Sequence, residues 1–409
     1  MKALVLCGGI PQISLIQELK NRGITTLLAD MNENVVARPY ADEFYKVSVL
    51  DVDGVTNVAR EQQVDFVITV CADQVLQVVA EVSERLGLPC YIDLATAENV
   101  SRKSYMKRIF AENDIPTSQF VVMDTFEIDK IAHLRYPLIV KPVDAYSSRG
   151  VTKVTRPEDV VAVFGTASAI SRTGKTIIEE FVEGGEISVD VYVEGGTAHV
   201  LCLTNLYKIG EDGKFIINRS CIPAKVSNGV ESQIAEVAQR IADAFGLKDT
   251  PMLIQLITDG EHISVVEFCA RTGGGVKFMM IKKFSGFDVV KAVVDLTLGN
   301  KPHVEPIEKK AVYTINEFVY CYPGTLSHLQ GFDELLAEGI IADYKQFKNA
   351  GTTFGAINGS GDRVAYFSIE AKNEEELFRL HALADARIHA ISVEGEDLIR
   401  HDLIARFRS

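Results

Sequence analysis

Gln255, Glu267, Cys269 and Arg271 lie in one stretch, Gln255-Leu-Ile-Thr-Asp-Gly-Glu-His-Ile-Ser-Val-Val-Glu267-Phe-Cys269-Ala-Arg271-Thr-Gly273-Gly274-Gly275. It reads as two short strands turned at Asp259–Gly260. Strand side chains alternate faces, so Glu267, Cys269 and Arg271 share one face while Val266 and Phe268 point to a core. A hairpin partner carrying Gln255 brings a second oxygen donor beside Glu267. Magnesium binds through one or two protein oxygens and the phosphates of its substrate. An arginine on the same face can hold a phosphoryl group in transit. A plain surface hairpin with a solvated charged face is the competing reading.

Two further constellations precede it. Leu138-Ile-Val-Lys141-Pro is followed by Asp144-Ala-Tyr-Ser147-Ser148-Arg-Gly150. A lysine ending an apolar strand is costly unless it meets an anion, and the small-residue loop can turn backbone N–H groups toward phosphate. No GxxxxGK[ST] loop is present. Ile177-Ile-Glu179-Glu180-Phe-Val182-Glu-Gly-Gly-Glu186 places two carboxylates at a strand end and a third after a turn. Backbone groups plus a glutamate can read an adenine edge, and a carboxylate suits a ribose diol. A solvated acidic turn is the alternative. Gly8–Gly9 lacks the GxGxxG spacing of a dinucleotide site, although the helix that follows could hold a small anion at its N-terminus. The eight histidines show no HxxxH or HExxH spacing, and His262, His303, His328 and His401 read as surface or turn residues. No GxSxG elbow occurs.

The elements that must position these residues change style along the chain. Residues 1–100 alternate strand and helix, which implies a doubly wound parallel sheet. From about 101 to 305 the pattern is α+β: a helix at Lys103–Glu112, short strands at Leu138–Val140, Thr176–Phe181 and Ile187–Val193, and an amphipathic helix at Ser232–Phe245. A lid is expected over about 140–205. A polar, proline-bearing linker near Lys301–Lys310 leads to a small α+β domain over 306–409, with strands at Val312–Tyr320 and Val364–Ile369 and a helix at Glu374–His389.

The composition is that of a globular chain, 409 residues with 47% hydrophobic and 24% charged. The net charge of −14 disfavours nucleic acid and anionic membrane as partners. The apolar run of the opening MKALVLCGGI is too short for a secretory signal. No apolar stretch reaches the ~18 residues of a spanning helix. Seven cysteines without a scaffold spacing read as reduced thiols of a cytoplasmic protein.

The three constellations, in this order and at these separations, resemble the ATP-grasp superfamily over residues 1 to about 300. The chain looks most similar to the branch of L-amino-acid ligases, biotin carboxylase and the halves of the carbamoyl-phosphate synthase large subunit. Asp30, the segment Asp65-Phe-Val-Ile-Thr-Val-Cys-Ala-Asp73 and the helix start Arg102-Lys103-Ser-Tyr-Met-Lys107 resemble that branch too. The resemblance implies an ATP-dependent carboxylate–amine ligase that works through an acyl phosphate on an amino acid or similar small acid. It implies ATP and Mg2+ (or Mn2+), small-molecule acid and amine partners and, by analogy, a homodimer.

The resemblance also implies roles for single residues. Lys103 and Lys141 would bind phosphates, and Ser147, Ser148 and Gly150 would form a mobile loop over them. Glu179, Glu180 and Val182 would line adenine, partly through backbone, and Glu186 would hold the ribose. Gln255 and Glu267 would ligate magnesium. Arg271 and Lys141 would act on the phosphoryl group, with Gly273, Gly274 and Gly275 beside the acid. Cys269 departs from the Asn or Asp usual at a further metal position, and hard cations prefer oxygen. Bicarbonate activation of the carbamoyl-phosphate-synthase kind, and ATP binding without catalysis, stay open.

Overall fold

The computed structural model describes residues 1–145, 149–209, 215–308 and 312–405. Packing divides the chain into two compact units. The first holds Met1–Tyr146, Val154–Leu203 and Val226–Lys309, and the second holds Ser147–Lys153, Thr204–Lys225 and Lys310–Ser409. The segments expected as separate blocks at 1–100 and 101–305 thus fall largely in one unit, while residues 204–225 go with the C-terminal segment.

The first unit begins with four parallel strands, in the order Glu43–Lys46, Thr25–Asp30, Lys2–Leu6 and Phe66–Ile68. Leu4, Leu6, Leu27 and Val67 carry the apolar runs into a core completed by Val75, Val79 and Val82 of the helix Asp73–Leu86. Gly87 in the left-handed region ends that helix, and Pro11 sits at the start of the helix Ile10–Asn21. An antiparallel sheet follows, with Thr176–Glu180 between Phe120–Met123 and Leu138–Pro142 and the helix Val160–Ile170 against it. A second places Thr250–Thr258 between Ile263–Cys269 and Gly185–Glu194.

The hairpin register has an irregularity that the alternation argument does not foresee. Gln255 lies opposite Glu267, but Leu256 lies opposite Val265, so Val266 is an extra residue. Val265 and Phe268 are therefore the buried pair and Val266 is only half-buried, where strict alternation puts Val266 and Phe268 inside.

In the second unit, Tyr313–Val319 lies between Ile217–Ile222 and Ala365–Ala371, and Asp343–Gln346 adds at the edge. A separate sheet pairs Gly324–Gln330 with Thr353–Phe354 and His389–Ser392. The expected helix Glu374–His389 stops at Asp385, because the chain from His389 is taken up as a strand. Among the described residues no helix is long and apolar enough to cross a membrane.

Candidate active site

Lys103 and Lys107 stand one turn apart on the helix Lys103–Glu112, so their side chains leave the same face. Met106 and Phe110 fix that face. The Phe268 N–H points at Met106 Sδ at 3.4 Å, and the Phe110 and Phe268 rings lie 6.0 Å apart. The Lys107 ammonium, 2% exposed, lies 2.8 Å from Glu179 Oε2. It donates to Thr117 Oγ1 at 2.6 Å and Ser118 Oγ at 3.2 Å. Ser118 Oγ donates to the same Glu179 oxygen at 3.0 Å. Lys141, from the strand Leu138–Pro142, pairs with the other oxygen of Glu179. Burial would raise the Glu179 carboxyl, but the ammonium groups of Lys107 and Lys141 outweigh it and hold the group at about 2. Burial pushes the Lys107 ammonium down. Two cations share one carboxylate here, so the cluster carries a surplus positive charge in a buried place.

Glu267 Oε2 lies 3.3 Å from Lys103 Nζ, which also donates to the Ala145 carbonyl at 2.8 Å. Gln255 Nε2 donates to Glu186 Oε1 at 3.3 Å across the adjacent strands. The donor chemistry of this edge fits a hard divalent cation: two carboxylates and an amide oxygen on neighbouring strands. The thiol of Cys269 does not join it. Burial first, and then the neighbouring Asp73, hold that thiol well above its ordinary range, so it stays neutral. A small cavity lined by Asp73, Lys103, Met106, Glu267 and Cys269 connects this edge to the next group.

Arg271 donates through Nε and Nη2 to both oxygens of Asp73, and through Nη1 to the Thr272 carbonyl at 2.6 Å. Burial would raise the Asp73 carboxyl, but Arg271 holds it below its ordinary value. Asp73 opens the helix Asp73–Leu86, where the N-terminal dipole also favours a negative charge. Next to them, Lys277 Nζ donates to Asp190 Oδ2 at 2.9 Å. Asp190 is 1% exposed and its Oδ1 has no hydrogen-bond partner. A Cβ on Gly273 would stand 2.9 Å from Lys277 Cγ and 3.4 Å from Asp190 Oδ1, so a side chain there would press on this pair.

The remaining residues singled out in the sequence lie as follows. Glu180 takes its partners from Arg135, accepting from the backbone N–H at 2.9 Å and from Nη2 at 2.9 Å. Its carboxylate and that of Glu179 are therefore both engaged by cations. Val182 is half-buried just past the strand Thr176–Glu180. Gly275 has φ +67 and Gly150 has φ +74, the latter in the second unit. Ser147 and Ser148 lie outside the described residues. Lys107 and Asp73 lie in sequence motifs that assign neither a role, and nothing in the sequence marks Asp190 or Lys277. The i, i+4 spacing of Lys103 and Lys107 was a usable signal; the others meet only through the tertiary fold.

A model of the ATP-grasp domain matches residues 134–279. This chain carries an ATP-grasp domain. It is 25% identical to the phosphoribosylamine–glycine ligase of Streptomyces coelicolor over 89% of this chain and 90% of that protein. The crystal structure of an L-amino acid ligase from Bacillus licheniformis superposes with a TM-score of 0.78 at 19% identity, covering 96% of this chain and 98% of that one. The biotin carboxylase domain of the Hydrogenobacter thermophilus 2-oxoglutarate carboxylase superposes with a TM-score of 0.82 at 16% identity, covering 100% of this chain and 94% of that one. That structure is a dimer in complex with MgADP, ADP and bicarbonate. The structural likenesses show that the ATP-grasp fold is shared.

Proposed function

We propose that this chain is an ATP-dependent carboxylate–amine ligase that forms an acyl phosphate from a small acid, such as an amino acid, and joins it to an amine. The observation that carries the reading is the buried Lys107–Glu179–Lys141 cluster, whose surplus charge calls for an anion. It stands in one compact unit with the oxygen donors Gln255 and Glu267.

Lys141 and Lys103 receive the phosphates of ATP, and Glu179 sets the Lys141 ammonium in place. With both the Glu179 and Glu180 carboxylates engaged by cations, adenine is read by backbone groups near Val182, and Glu186 serves the ribose or the metal edge. A magnesium or manganese ion held by Glu267 and Gln255 supplies charge neutralisation at the phosphates. Arg271, fixed by Asp73, presents its remaining N–H groups to the carboxylate being phosphorylated. The acid oxygen attacks the γ-phosphorus and ADP leaves. The amine then attacks the acyl carbon and phosphate leaves. The Asp190 oxygen without a partner, beside Gly273, receives an N–H of the amine. Positioning and charge neutralisation account for the catalysis.

The partners are small molecules, together with a second copy of this chain. A net charge of −14 argues against nucleic acid. Seven free cysteines support a cytoplasmic setting. Phosphate release is to be screened over acids crossed with amines, with Glu267→Ala as control. Release that requires one acid and one amine together is expected. Release with bicarbonate that ignores every amine, or metal-dependent ATP binding without turnover, would replace this reading with one of the alternatives.

A further inference from the structure

The geometry points to a zinc site in the C-terminal unit, formed by His389, Asp397 and His401 and independent of the reading of the nucleotide site. His389 opens the strand His389–Ser392, Asp397 returns beside it through a bridge to Ile391, and His401 begins the helix His401–Ala405. One ligand atom from each lies within 4.8 Å of the others. Asp397 Oδ2 stands 2.6 Å from His389 Nδ1 and 3.1 Å from His401 Nε2. These residues have none of the usual metal-motif spacings in the sequence.

Two features build the site. Asp397 Oδ1 accepts from the backbone N–H groups of Ala390 at 3.1 Å and Ile399 at 3.0 Å, which turns Oδ2 toward both rings. His401 Nδ1 lies 2.7 Å from Asp385 Oδ1. A carboxylate on the far nitrogen is the arrangement that orients a metal-bound imidazole.

Two ring nitrogens face one carboxylate oxygen. With zinc on His389 Nδ1 and His401 Nε2, each ring would be neutral with its one proton on the far nitrogen, His401 Nδ1–H would stay on Asp385, and the ion's two charges would balance the two carboxylates. Bond lengths of about 2.0–2.1 Å put neighbouring tetrahedral donors about 3.3 Å apart, so each ring nitrogen needs to move away from Asp397 Oδ2 by under ~1 Å. Two imidazoles and a carboxylate select zinc over magnesium. The half-exposed rings leave the fourth position to water. The ion would tie the last described helix to the strand His389–Ser392.

The test is calorimetric titration of metal-stripped full-length protein with Zn2+ in excess Mg2+, repeated with Co2+ to read tetrahedral absorption. One equivalent is expected in the parent and in Glu267→Ala, and none in His389→Ala or His401→Ala. Asp385→Asn keeps all three ligands and should weaken binding about 10- to 100-fold. No equivalent tighter than about 1 mM in the parent would overturn the site. So would an equivalent that survives both histidine variants, which would belong to the cysteines.

Discussion

Glu179 meets two ammonium groups, Lys107 and Lys141, whereas Asp73 meets one guanidinium, that of Arg271. Both carboxylates sit in the first unit and both are held in the charged form by their partners. The difference is the charge left over. The Arg271–Asp73 pair is neutral and its bidentate geometry fixes the guanidinium plane, so it orients more than it attracts. The lysine cluster keeps one positive charge in a place from which water is largely excluded. An unpaired buried charge is costly, so the entry of an anion beside it is favoured. Phosphate is then drawn to one side of the site, and the reacting carboxylate is aligned on the other.

Removing the surplus charge should have the largest effect. Lys141→Met leaves Lys107 and Glu179 as a neutral pair. Turnover measured by ADP release should fall about 10²- to 10³-fold, with folding retained by circular dichroism. Near-parental turnover would mean that the cluster is structural. Glu179→Gln does the opposite and leaves two ammonium groups facing each other. Breaking a buried ion pair costs about 3–5 kcal/mol, so the urea midpoint should drop steeply. The pH dependence has a definite sign. The folded Glu179 carboxyl is depressed to about 2, so its stabilisation is present above the ordinary carboxylate range. It is lost as pH falls from there toward about 2. The Glu179→Gln variant should lack that part of the acid transition.

Much of this was legible in the sequence, for physical reasons. The parallel sheet of the first hundred residues follows from apolar runs alternating with helical periodicity. The hairpin could be read because Gln255 and Glu267 flank a turn at Asp259–Gly260. The bulge at Val266 could not be read, since nothing local separates it from a regular strand. Lys107 and Glu179 are far apart in sequence, as are Asp73 and Arg271, so their pairing depends on the packing of distant elements. The apolar spacing of the helix from Glu374 continues to His389 in the sequence. The competing strand partner, Gly324–Gln330, lies in a stretch with too little alternation to announce itself.

On the neutral side the effects should be smaller. Asp73→Asn keeps a hydrogen-bond acceptor but releases the fixed plane of Arg271. A fall in kcat of about 10- to 100-fold, with KM for ATP nearly unchanged, is the signature of positioning at the acid. A rise in KM for ATP with kcat intact would place Arg271 on the nucleotide, and the contrast with the lysine cluster would collapse.

Cys269→Asn makes the finest cut. Cys269 lines the same small cavity as Asp73 and Glu267, with a thiol that burial keeps neutral. An amide oxygen there offers a hard donor without adding a charge next to Asp73. If the metal edge lacks one protein ligand, half-saturation of activity by Mg2+ should move about 3- to 10-fold lower. Mn2+, which accepts a wider range of donors, should move less. An unchanged Mg2+ dependence would mean that water already fills that position without loss. An increase would mean that the S–H contact to Asp73 supports the arginine, which would tie Cys269 to the positioning group instead of the metal edge.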